Sequence, residues 1–152
     1  MSSIQLIIIP ADPHWVPSRQ AADAALQVLT DLVPAGGATR QWLDAPQFFA
    51  PAENWQDPRC PHCASPLGQA FTTAIHAALA PGGDLAGVSL TTPCCGRATP
   101  LNALDYAPCG AGIASFHLTA FDLRSFDLLP AEQLARIAAA LGHPVRQILS
   151  HT

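Results

Sequence analysis

The sequence predicts an α+β fold, a ferredoxin-like βαβ-βαβ sandwich with a zinc-binding segment inserted in its middle. Three observations carry this. Short β-rich runs open and close the chain, helical periodicities separate them, and two cysteine groups lie in a proline-rich stretch between the two βαβ halves. At 152 residues, 49% of them hydrophobic, the chain has the size and apolar content of one ordinary domain. Residues 1–152 are therefore expected to form a single domain with the insertion at about 45–112.

The first strand is "IQLIIIP", residues 4–10, a β-branched run without alternation that reads as buried on both faces and is broken by Pro10. Ser18 then caps a helix whose apolar positions Ala22, Leu26, Leu29 and Val33 fall at helical spacing, with Pro34 and Gly36-Gly37 ending it. "TRQWLD", 39–44, reads as the second strand, and 45–59, with Pro46, Pro51 and Pro58 and no periodicity, as irregular backbone. Leu67, Phe71, Ile75 and Ala78 define a second helix closed by "PGG" at 81–83. "LAGVSLTT", 85–92, alternates Ala86, Val88 and Leu90 and reads as a strand leading to "PCCG", followed by a loop through Pro100, Pro108 and Gly110. "IASFHLTAF", 113–121, alternates strictly, which places Ala114, Phe116, Leu118 and Ala120 on one face and predicts a wet face opposite. The last helix begins near Pro130, buries Leu134, Ile137, Ala138 and Leu141, and stops at Gly142 before a closing strand, "PVRQILSH".

The net charge is −4, and the seven basic residues, all arginine, form no run. Nucleic acid is excluded as an expected partner, because phosphate neutralisation by clustered cations supplies most of that affinity. The opening "MSSIQLIIIPADPHW" has no basic region before its apolar run, which is too short for a membrane span, so the expected location is cytoplasmic, with no membrane partner. In that compartment clustered cysteines read as metal ligands or catalytic groups rather than disulfides.

Two cysteine groups stand out, "CPHC" with Cys60 and Cys63, and "TPCCG" with Cys94 and Cys95. Four thiolates suit one structural Zn2+ ion, and a C-x-x-C turn supplies two of them. Adjacent cysteines in a strand would point to opposite faces, so "TPCCG" is expected to be a bend at a strand end. Cys109 is the spare and an alternative to Cys95 as fourth ligand, while His62, between two ligands, is expected to turn its ring away from the metal. The tetrad also matches that of DsbA-type thiol oxidases, but "PAENWQDPR" before it is no strand, and Pro66 and Gly68 interrupt the turn after it.

Other candidates for chemistry read as structural. Asp12 and His14 in "ADPHW" can pair as acid and base but sit in turn-forming sequence; Ser115, His117 and Thr119 share a solvated strand face; His151 lies at a fraying end. No catalytic residue and no organic-cofactor site is expected, since phosphate loops, H-E-x-x-H, G-x-S-x-G and paired carboxylates are lacking. Of the tryptophans, Trp55 is expected to be exposed as a binding anchor and Trp42 to pack in the core.

With "CPHC", "TPCCG", "LNALDY" and "LGHPVRQILSH", the chain resembles a group of small bacterial proteins with C-P-x-C and P-C-C-G motifs over its last two-thirds. The resemblance implies a metal site and no reaction. The expected function is that of a zinc-stabilised, non-catalytic domain that binds a protein, an immunity protein or antitoxin being one version. The alternative is an enzyme using Cys60 and Cys63, either a thiol-disulfide oxidoreductase or a zinc-dependent catalyst.

Overall fold

In the computed structural model, which describes residues 2–152, the expected first strand forms as β1 (Ile4–Pro10), followed by α1 (Arg19–Leu32) and β2 (Gly37–Phe49). After a long intervening segment come β5 (Gly112–Phe121), α3 (Ala131–Leu141) and β6 (Val145–His151). The four long strands make one antiparallel sheet in the order β2-β5-β1-β6, so the fold is α+β. Among the described residues no helix is long and apolar enough to cross a membrane.

The local signals act where the sequence places them. Ser18 Oγ accepts the Ala21 N–H at 3.2 Å and caps α1. Gly142, in the left-handed region at φ 87°, ends α3. Ala22, Ala25 and Leu29 of α1 and Ile137 and Leu141 of α3 pack on Leu6, Ile8, Phe116, Leu118 and Leu149, which forms the main core. Ile7 and Ile9 point the other way, into a smaller cluster with Ala114 and Ile148, so β1 is buried on both faces as its unbroken apolar run implies.

Four expectations require correction. The strand expected to stop at Asp44 runs on to Phe49, because Pro46 falls where the ladder is irregular, between Trp42 and Gln47, on an edge strand that tolerates a missing N–H. Ala114 leaves the face of Phe116, Leu118 and Ala120 for the opposite cluster. That opposite face is covered rather than wet: Thr119 is buried, and His117, half-buried beside the Phe49 ring, lies 2.7 Å from the Thr119 hydroxyl, with burial lowering its pKa. His151 does not fray. Its carbonyl accepts from the Glu53 N–H at 3.0 Å, and its register partner is Ile4.

Between β2 and β5 the inserted segment carries α2 (Gly68–Leu79) and a hairpin of β3 (Ser89–Thr91) and β4 (Ala98–Pro100), followed by a 3-10 turn (Leu101–Ala103). The strand expected over 85–92 is thus only three residues long, and its partner β4 falls where the sequence predicts loop. Phe71, Ile75, Leu90, Leu101, Leu104 and Tyr106 build a second core, which reaches the sheet through Ala111 and Ile113. Asn102 fastens the two together. Its Oδ1 accepts from Ile113 N at 2.7 Å, and its Nδ2 donates to Ile113 O at 2.9 Å and to Ala11 O at 3.1 Å.

Replacing Asn102 with Ala strands three backbone groups, at least one of them deeply buried, and each unsatisfied buried group costs about 1–3 kcal/mol. Asn102→Ala is expected to lower the unfolding free energy by about 3 kcal/mol in urea denaturation. A loss within ordinary surface-substitution range would show that the insertion is held by apolar contact alone.

Candidate metal centre

Each cysteine group sits in a tight turn with one and the same backbone pattern. In the first turn Cys60 N donates to Ser65 O at 2.8 Å, Ala64 N donates to Cys60 O at 2.9 Å, and Ala64 takes a φ of 63°. In the second, at the tip of the β3–β4 hairpin, Thr92 N donates to Arg97 O at 2.9 Å, Gly96 N to Thr92 O at 2.7 Å, and Gly96 takes a φ of 66°. Residues 60–65 therefore correspond position by position to residues 92–97. Both turns have Pro second and Cys fourth, at Cys63 and Cys95. They differ at the first position, buried Cys60 against buried Thr92, and at the third, His62 against Cys94. The second turn has moved one sulfur from its first position to its third.

This relocation is how adjacent cysteines come to face one centre. A turn with Gly in the left-handed region frees them from the strand alternation that would send them apart. The sulfurs of Cys60, Cys63, Cys94 and Cys95 all lie within 4.8 Å of one another, and Cys60 Sγ and Cys95 Sγ are 4.0 Å apart. A tetrahedral ion with metal–sulfur bonds of about 2.3 Å needs sulfurs about 3.8 Å apart, so the cluster can hold a metal ion with small side-chain adjustments.

The supports differ on the two sides. Cys60 backs onto the second core, beside Leu67, Phe71 and Leu101, whereas Cys63, Cys94 and Cys95 are exposed. The first turn is also tied to the segment before β5 by paired backbone bonds between Arg59 and Asp105, at 2.9 and 3.0 Å. The His62 ring turns outward as expected and spans the two turns, with Nε2 3.4 Å from Thr99 Oγ1 and Nδ1 3.4 Å from Arg97 Nη1. Arg97 is a donor only, so these partners assign the ring proton to Nε2.

The thiols are unequal. The Ser65 hydroxyl, 3.2 Å away, and the Ser65 backbone N–H lower the Cys63 pKa to about 6, with Cys94 and Cys95 adding to the effect. Donation to the Cys63 sulfur, together with partial desolvation inside the cluster, pushes Cys95 up to about 12 and raises Cys94 as well. Burial works against ionisation of Cys60, but the backbone N–H groups of His62 and Cys63 prevail and lower its pKa. Without a metal, one thiolate at Cys63 is thus cradled by its neighbours' protons, which an incoming cation would displace.

The other candidates lie elsewhere. Cys109 packs against the main core, outside the four-sulfur cluster. Asp12 and His14 form an exposed turn, in which His14 N donates to Asp12 Oδ1 at 2.8 Å. The tryptophan expectations reverse only in part, since the Trp42 ring still packs on buried Phe116 with ring centres 5.1 Å apart. Trp55 is half-buried among Phe48, Phe71 and Tyr106, whereas Trp42 is 37% exposed, its Nε1 donating to Pro17 O at 3.2 Å. Sequence reasoning missed Ser65 and the match of the two turns. Writing "CPHCA" above "TPCCG" would have revealed the latter.

Compared with known proteins, this chain matches no family model, no curated sequence and no solved structure.

In reduced, metal-free protein, Cys63 is expected to be alkylated by iodoacetamide before the other three, its rate rising as pH increases through about 6, because the thiolate is the reactive form. Peptide mapping after brief labelling reads this directly. Faster labelling of Cys95 than of Cys63 near neutral pH would contradict the assignment.

Proposed function

We propose that Cys60, Cys63, Cys94 and Cys95 hold one structural zinc ion and that the protein is a metal-stabilised, non-catalytic domain that works by binding another protein. The observation that carries the metal reading is the convergence of four sulfurs from two matched turns. An all-sulfur tetrahedral set suits zinc or iron–sulfur chemistry, and four protein ligands around zinc leave no open position for a substrate. The thiol-oxidase alternative is weakened by where the tetrad lies: Cys63 precedes the start of α2 at Gly68 by a turn and a β-bridge, so no helix N-terminus faces Cys60.

The same reading covers the architecture. Helices α1 and α3, which link β1 to β2 and β5 to β6, share one core with the sheet, and with the order β2-β5-β1-β6 this favours a ferredoxin-like sandwich in a single domain with the zinc segment inserted between β2 and β5. The zinc would close the free end of that segment while Asn102 secures the end joined to the sheet.

Purified protein is expected to contain about one equivalent of zinc after dialysis against a mild chelator. Structural zinc contributes on the order of 10 kcal/mol, so Cys60→Ser is expected to lose the metal and unfold the insertion, whereas Cys109→Ser keeps both. Freshly reduced protein that carries no metal yet turns over disulfides would replace this reading with the redox one.

We assign the partner surface to β2 on the support of Trp42, which lies exposed with the Arg40 guanidinium 5.5 Å from its ring centre. Aromatic and arginine side chains dominate binding energy at protein interfaces. With a partner isolated from the native host, Trp42→Ala is expected to weaken binding by about 2 kcal/mol without loss of zinc. Unaltered affinity would move the interface away from this edge.

A further inference from the structure

Where residues 104–111 pass beside β6 and α3, they leave an open cleft of about 410 Å³, walled by Tyr106, Pro108, Leu134 and Val145 and containing Arg146. It holds none of the four clustered cysteines. Arg146 is half-buried, and it gives one N–H to Ala111 O at 3.2 Å. Among the described residues no carboxylate lies within 4.0 Å of its guanidinium. A guanidinium has five N–H donors in a fixed fork, so most of this one's capacity is uncommitted.

The neighbouring polar groups are already engaged. Tyr106 donates its hydroxyl to Leu101 O at 2.7 Å, Asp105 Oδ1 accepts from Ala107 N at 2.9 Å, and the Gln147 amide exchanges two hydrogen bonds with the Leu129 backbone. One more donor faces outward. Leu149 and His151 send their backbone N–H groups away from the sheet, to Cys109 O and Pro51 O, and strand alternation turns the Gln147 N–H to that same edge. Burial lowers the Arg146 pKa, Tyr106 and Asp105 oppose this, and an arginine so placed keeps its charge at neutral pH.

We infer that this cleft binds a singly charged carboxylate with an apolar body, its oxygens held by the Arg146 fork and the Gln147 N–H. A planar fork matches a carboxylate in bidentate geometry. Arg146 is the one cation in the lining and Asp105 stands beside it, which disfavours a doubly charged phosphate. The apolar body has somewhere to go, because Leu134 and Val145 continue into a shallow groove of about 270 Å³ between α3 and Pro144. A small organic acid and the C-terminal residue of a peptide share this chemistry.

The test uses the full chain as purified and follows its backbone amide NMR spectrum during titration with sodium hexanoate, hexanamide, and acetyl-Ala-Leu with either a free or an amidated C-terminus. At least one acid is expected to shift the Ala111, Arg146 and Gln147 resonances and to bind at least about tenfold more tightly than its neutral amide, as a charge-assisted pair implies. Stronger binding by hexanoate assigns a free organic acid, and stronger binding by the peptide assigns a chain terminus. Arg146→Gln, which keeps a donor for Ala111 O, is expected to abolish the difference between acid and amide. The inference is overturned if neither acid moves these resonances, or if acid and amide bind alike. Those comparisons need no substitution and do not hang on the variant's folding.

Discussion

Strands β2 and β5 are neighbours in the sheet, yet the chain between them carries a helix, a hairpin and a core of its own. Such an excursion stays in register with the sheet only if something fixes where it returns, and the return is fixed at Asn102. One side-chain amide reproduces a strand's pairing with Ile113, giving and taking a hydrogen bond, and uses its remaining proton on Ala11, just past the end of β1. Everything downstream inherits this placement. Tyr106, whose hydroxyl reaches back to Leu101, and Asp105, whose backbone pairs with Arg59, take their positions from the same short stretch.

The cysteine cluster is built from the far side of that stretch. The pairing of Arg59 with Asp105 orients the first turn, and β4, immediately before the 3-10 turn that contains Asn102, orients the second. Two turns with one backbone pattern then present their fourth-position cysteines to each other, and the displaced sulfur at Cys94 completes the set that Thr92 leaves incomplete. Thr92 stays buried and accepts the Arg97 N–H through its hydroxyl at 3.2 Å, a bond that helps close the hairpin tip.

The parts of the fold that could be read from the sequence were those in which local chemistry and packing agree. The Ser18 cap, the Gly142 stop and the unbroken apolar run of β1 each act through neighbours a few residues away. That the four cysteines come together could likewise be anticipated from the C-P-x-C and P-C-C-G motifs, whose combined sulfurs suit a metal ion. What could not be read depended on distant partners. Pro46 is tolerated because β2 is an edge strand, and Trp55 is half-buried because Phe71 and Tyr106 arrive from elsewhere to cover it. Asn102 looks like an ordinary loop residue until Ile113 and Ala11 are seen on either side.

The position of β2 at the sheet's edge has a bearing on solubility. Along the opposite edge, β6, backbone groups of Pro51, Glu53 and Cys109 take up the outward-facing N–H groups of Leu149 and His151 and the His151 carbonyl. Among the described residues the outer side of β2 has no such cover, and an uncapped strand of this length invites pairing by other chains. Its irregular stretch between Trp42 and Gln47 breaks the ladder, Pro46 removes a donor, and Arg40 and Asp44 place charges along the remainder. Breaks, prolines and charges of this kind are the devices that discourage edge-to-edge pairing between chains, and the kink that hides this strand's true length in the sequence is one of them.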